Sequence, residues 1–244
     1  IKTKESKKRT YKAVTYKASS TDCKHIVNLT NEKVEFVDSR GEAGGVKYLP
    51  SLLGIFAYCA GNSKSSTYFK CTNLKSVQGF ADVDTELAKG DLVLFNDTDY
   101  VRICQGINTL ITYDGEKATE DMSFIETVEV MDKIQDDIRD VFKETYLGNF
   151  KNKYDNQILF ISSINSSYLK ELADNDDLDP EYTNVASIDV ETQRKAWISS
   201  GKAEASEWDD AKVKNSTFKR DLYLLGDIKI LGSMTNLKFD ISLF

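Results

Sequence analysis

Histidine occurs once in this chain, at His25, and proline twice, while the four cysteines (Cys23, Cys59, Cys71 and Cys104) form no close pair. Each scarcity excludes something. Zinc sites usually need four ligands, often from C-x2-4-C pairs. Cys23-x-His25 therefore reaches a metal site only if Cys59 and Cys71 join it through the fold, and a cysteine nucleophile with His25 as its base has no better support. The simpler reading is an ordinary turn and strand, with reduced, mostly buried thiols of an intracellular protein. The longest apolar block, residues 48–60, falls short of the ~20 residues that span a bilayer, so no membrane insertion is expected. A basic excess is missing too: 32 Lys and Arg stand against 39 Asp and Glu, a formal charge of -7. Phosphate affinity needs a basic surface, so nucleic acid is not an expected partner. The basic run at 1–9 reads as a solvated junction.

Two motifs fail on inspection. In 174–181, DNDDLDPE, Leu178 sits at position five of a calcium loop, Asp179 replaces the turn glycine, and Val185 replaces the bidentate glutamate. GEAGG at 41–45 has neither G-x-G-x-x-G nor Gly-Lys-Ser/Thr. No cofactor is expected.

What is present reads as α+β: mixed sheets flanked by long amphipathic helices, with a C-terminal β-hairpin or strand. The composition, 41% hydrophobic and 29% charged, suits a real core. Strands are expected at 10–16 and at 25–37, the latter as a hairpin around 30–32, and at 91–95 and 100–104 around NDTD. An apolar helix is expected at 47–60, with Pro50 in its first turn. A short one at 82–89 closes at Gly90. The clearest helix is 123–147. Phe124, Val128, Met131, Ile134, Ile138 and Val141 recur at steps of three and four, and Ser123 with Glu126 reads as a capping box. Glu129, Asp132, Asp136, Asp137 and Asp140 form its acidic, solvated or partner-facing side, with Glu129 pairing Lys133. Further helices are expected at 156–173 and 191–200. At the end, Leu222, Leu224, Ile228, Ile230, Leu237, Phe239, Ile241 and Leu243 alternate as long strands do. A terminal strand without a partner is a liability unless another segment pairs with it.

The stretch GINTLIT at 106–112 breaks a strand-like run with glycine and places Asn108-Thr109 where apolar residues belong. A ligand, a catalytic turn or a special backbone junction would each explain it. The junction is the preferred reading. Gly106 lets the chain turn, Asn108 and Thr109 bond backbone groups, and Leu110 and Ile111 re-enter the core.

Several stretches in order resemble the C-terminal half of contractile tail sheath proteins, the sheath subunits of myophage tails and R-type bacteriocins. They are AYCAGNSKSSTYFKCTNL, ADVDTELAKGDLVLFNDTDYVRICQGINTLITY, ETVEVMDKIQDDIRDVFKETYLGNFKN and GDIKILGSMTNLKFDISLF. Gly106–Leu110, Glu126–Val128, Tyr146-Leu147-Gly148 with Asn152, and Met234–Phe239 carry the likeness. Asn149 departs from a frequent lysine, and 201–217 match poorly, as an insertion would. The resemblance implies that residues 1–105 are part of a sheath α/β domain whose N-terminal portion is missing. Residues 106–244 are the C-terminal assembly domain. It implies a non-enzymatic subunit that polymerises helically around an inner tube and contracts to drive it through a cell envelope. The implied partners are neighbouring subunits, the tube and baseplate proteins. The implied location is a phage tail or bacteriocin particle assembled in the bacterial cytoplasm. Terminal strands would be exchanged between neighbours, which selects Ile228, Ile230, Leu237, Phe239, Ile241 and Leu243 as subunit contacts. Gly106, Asn108 and Thr109 become the structural junction. The alternative is an intracellular enzyme or metal-binding protein using Cys23 and His25.

Overall fold

The computed structural model describes residues 10–115 and 118–242. These divide into two compact units, residues 1–132 with 232–244, and residues 133–231. No helix among the described residues is long and apolar enough to cross a membrane.

The first unit begins with β1 (Ala13–Tyr16), β2 (Ile26–Leu29), β3 (Lys33–Phe36) and β4 (Glu42–Gly44). A 3-10 turn leads into α1 (Leu49–Gly61), with Pro50 in its first turn as its missing N–H allows. Then come β5 (Leu74–Val77), α2 (Val83–Ala88), β6 (Asp91–Leu92), β7 (Leu94–Asp97) and β8 (Tyr100–Ile103). β2 is central to a parallel sheet ordered β1-β2-β6, and β3 is central to an antiparallel sheet ordered β4-β3-β5. β7 and β8 form the hairpin expected around NDTD. Leu29, Val34, Tyr48, Leu52, Leu92, Leu94 and Ile103 are fully buried between these elements.

One expected hairpin is absent: β2 and β3 lie in different sheets. The cause is Asn31, a buried residue in the connection. Its side chain accepts from Leu94 N–H and donates to the carbonyls of Leu94 and Gln78. The turn residues thus bind the β6–β7 region instead of closing β2 on β3. Residues 42–44, within the GEAGG stretch, pair with β3, and β5 was not anticipated.

The long helix starts at Ile125 rather than Ser123. α3 covers Ile125–Val141 and continues as a π-helical turn, Phe142–Tyr146, that ends before Gly148 at φ +79°. The capping box does not form. Ser123 offers its carbonyl to Asn108 N–H, and Glu126 bonds Ser233 through both carboxylate oxygens.

In the second unit, the helix expected at 156–173 is α4 (Tyr154–Ser163), a π-helical turn (Ile164–Tyr168) and α5 (Leu169–Asp174). Then follow β9 (Val185–Ile188), α6 (Val190–Ser199), α7 (Asp210–Asn215) and β10 (Leu224–Asp227), antiparallel to β9. Phe160, Ile164, Leu169, Leu172, Leu178, Ile188 and Val213 are buried in this unit. Residues 201–217 dock on α6. Gln193, fully buried, donates to the carbonyls of Val213 and Ser216, Trp197 Nε1 donates to Ser216, and Arg194 donates to the Trp208 carbonyl.

Candidate assembly surface

The 106–112 stretch is a junction made by hydrogen bonds. Gly106 N–H donates to Thr67 Oγ1 and its carbonyl accepts from Ile125 N–H, so the glycine faces two segments at once. A Cβ there would lie 2.3 Å from Ser66 Oγ and 3.0 Å from Thr67 N. The glycine is thus required by close approach; its φ is not positive, so turning freedom is not the reason. Asn108 N–H bonds the Ser123 carbonyl, its amide donates to Met122, and its Oδ1 accepts from Leu110 N–H. Thr109 gives its N–H to Ile26 and its hydroxyl to Cys23. Asp22 accepts from the N–H groups of Ile111 and Thr112. Gly90, at φ +77°, packs 3.0 Å from Thr109 Cα at its Cβ position. The side chains of Asn108 and Thr109 are thus spent on backbone, and the crossover from β8 to α3 is fixed.

His25 is buried, and its Nε2 lies 3.1 Å from each Asp132 carboxylate oxygen. Lys12 Nζ reaches Asp132 at 3.0 Å and Glu129 at 2.5 Å. Asp132 therefore leaves the expected solvated face, and Glu129 pairs with Lys12 rather than Lys133. Lys133 instead meets Asp177 at 3.2 Å. Burial pushes the Asp132 carboxyl up, but the His25 hydrogen bond and the Lys12 charge outweigh it and hold it below the usual range. Among the described residues no cluster of His, Cys, Asp and Glu is arranged to hold a metal. Burial raises the Cys59, Cys71 and Cys104 thiols, the direction opposite to an activated nucleophile. In the would-be calcium loop, Asp177 and Asp179 are engaged by Lys133 and Lys229.

The two-stranded β9–β10 sheet has unequal edges. Asp189 N–H donates to the Tyr223 carbonyl, so in antiparallel alternation Leu225 faces Ser187 through hydrogen bonds, while Leu224 and Gly226 point their N–H and C=O away. The same alternation turns the polar groups of Ala186 away from β10, and the Asn165 side chain meets both of them, at 2.7 and 2.9 Å. The β9 edge is thus completed by an amide standing in for a strand. The outward groups of Leu224 and Gly226 lie on the other edge, beside exposed Leu225.

The six residues expected at subunit contacts separate. Ile228 and Ile230 are half-buried in the second unit, where Ile230 bridges to Leu178. Leu237, Phe239 and Ile241 are 92%, 77% and 73% exposed, and Leu243 lies outside the described residues. The long terminal strands do not form in the single chain: residues 232–242 carry no strand, although Ser233 is tied to Glu126. Alternating apolar residues cannot form a ladder without a second backbone, and among the described residues none pairs with 232–242.

A family model described as the phage tail sheath C-terminal domain matches residues 117–244. The tail sheath protein of Clostridium phage phiCD119 is 30% identical over 224 residues, which cover 91% of this chain and 60% of that protein. The chain thus spans well under two thirds of this curated relative. The sheath tail protein of Desulfitobacterium hafniense shares the fold at TM-score 0.66 and 18% identity, over 76% of this chain and 44% of that one. The helical sheath of the anti-feeding prophage in its contracted state matches at TM-score 0.63 and 10% identity, over 95% and 61%.

Proposed function

Because the chain belongs to the phage tail sheath family, we propose that it forms part of a subunit that polymerises helically around an inner tube and contracts to drive that tube through a target envelope. The family is structural, not enzymatic. The observation that carries the reading is an unmatched pair in one chain: the outward polar groups of Leu224 and Gly226 on β10 and the exposed, alternating Leu237, Phe239 and Ile241. A free edge takes an extended segment by strand addition, through main-chain hydrogen bonds. Exchange of that segment between copies is a heterologous contact, and such contacts build open helical filaments. Linked subunits can then rearrange between two packings without parting. The neighbouring subunits, the tube and the baseplate are the proposed partners, and a phage tail or bacteriocin particle is the proposed site of action.

Electron microscopy of the full-length protein, alone and co-expressed with its tube protein, tests this. Hollow, helically striated cylinders are expected. Removing residues 235–244 should abolish them while the thermal transition of the subunit stays in place, since the side chains of residues 235–242 are exposed. Dispersed subunits under every condition, or cylinders unaffected by the deletion, would count against the reading.

A further inference from the structure

The outer face of the β7–β8 hairpin carries an aromatic and cationic surface that neither the junction nor the free sheet edge uses. Residues 68–71 run beside β8: Tyr68 N–H donates to Ile103, Ile103 N–H to Phe69, and Cys71 N–H to Val101. Lys70 stands opposite Arg102. Lys70 Nζ sits 3.1 Å from the Tyr100 ring centroid, and the Arg102 guanidinium lies 4.8 Å from the Tyr68 ring. Phe95 packs 5.7 Å from Tyr68. Tyr68 and Tyr100 are nevertheless 51% and 45% exposed.

Tyr68 holds φ +61°, a backbone region that bulky residues avoid. Glycine or asparagine would sit there more easily. The surroundings enforce the conformation: Arg102 donates to the Tyr68 carbonyl at 3.0 Å while facing its ring, and Asp97 fixes the other side of the guanidinium at 2.6 Å. A strained, braced and exposed tyrosine beside arginine has the makings of an interface anchor. Tyrosine and arginine are enriched in such hot spots, and a ring fixed in advance loses little freedom on binding.

The same chain carries a matching surface. Among the described residues no ion pair engages Asp174, Asp176 or Glu181, and all three are exposed, Asp174 at the end of α5 and the other two in the loop after it. That loop is held in shape by bonds from Asp176 N–H to Ala173 and from Asp177 and Leu178 N–H to Leu172. We infer that the Tyr68–Tyr100 face, with Lys70 and Arg102, docks the acidic loop 174–181 of a second copy of this chain. The carboxylates of Asp174, Asp176 and Glu181 would meet Lys70 and the tyrosine hydroxyls. This rests on the sheath reading, because it needs copies that assemble head to tail.

The test uses full-length protein and measures the critical concentration for cylinder formation beside the thermal midpoint of the unassembled subunit. Tyr68→Gly removes the ring and accepts the positive φ. It is expected to keep or raise the midpoint while raising the critical concentration at least tenfold. Lys70→Glu should raise it similarly, and adding Asp176→Lys should restore much of the loss. Tyr68→Gly assembling like wild type would overturn the inference. So would a Lys70→Glu defect that reversal at Asp174, Asp176 or Glu181 never restores. Wild-type chains that never assemble would overturn the sheath reading and this contact with it; assembling wild type with indifferent variants would overturn this contact alone.

Discussion

Gly106 shows how much one hydrogen atom can decide. Its neighbours Ser66 and Thr67 come so close that an alanine Cβ would overlap Ser66 Oγ. Ser66 is itself buried and cannot swing away freely. Gly106→Ala is expected to cost ~2 kcal/mol, in the range for overpacking a tight site, read as a lower denaturant midpoint. Adding Ser66→Ala removes the nearest atom and should recover part of the loss, which a double-mutant cycle detects as coupling. Additive losses would mean that the contact is not the cause. The polar character of this stretch was legible in the sequence, and so was the bonding of Asn108 and Thr109 to backbone groups. The reason for the glycine was not. Spacing along one chain cannot report that residues 66 and 67, forty positions earlier, press against it.

At the scale of elements, the α3 periodicity was visible because Val128 and Ile134 recur on one buried face, although Val141, read onto the same face, is exposed. The helix start was misread. Ser123 ends the 3-10 turn Glu120–Ser123 and Phe124, in extended backbone, stands between it and the helix, while the Glu126 carboxylate is taken by Ser233. The acidic stripe was misread at Asp132, since charge on a helix face says nothing of a histidine 107 positions away. That pairing fastens α3 to β2, and through Lys12 to β1. Because the folded-state Asp132 pKa lies below its ordinary value, its contribution is present above the unfolded pKa, ~3.9. It is lost as pH falls through the lower folded value. Asp132→Asn should therefore reduce stability at pH 7 by on the order of 3 kcal/mol, as breaking one partner of a buried pair does. It should also flatten the acid limb of the stability profile below about pH 4. Equal wild-type and variant curves across pH 2–7, a window chosen around the ordinary aspartate value, would sink the assignment.

For the whole molecule, the decisive feature is an alternating apolar segment that pairs with no strand among the described residues. Leu237, Phe239 and Ile241 alternate as a strand should, yet residues 232–242 form none. Alternation records which faces are to be buried, not which backbone supplies the ladder, and the strand it predicts over 237–241 is not formed. The sheet edge allows a sharp test, because neighbouring positions on β10 point opposite ways. Gly226 directs its N–H outward and has open space at its Cβ position. Proline is tolerated on an edge strand whose N–H is unused. Gly226→Pro is thus expected to change subunit stability by no more than ~1 kcal/mol while abolishing cylinders, because a donor needed by the incoming strand is gone. Leu225→Pro removes the N–H that faces Ser187 and should instead destabilise the β9–β10 pair by ~3 kcal/mol. Thermal melts and electron microscopy of both variants separate edge from ladder. A Gly226→Pro chain that melts and assembles like wild type would mean that subunits join elsewhere than on β10.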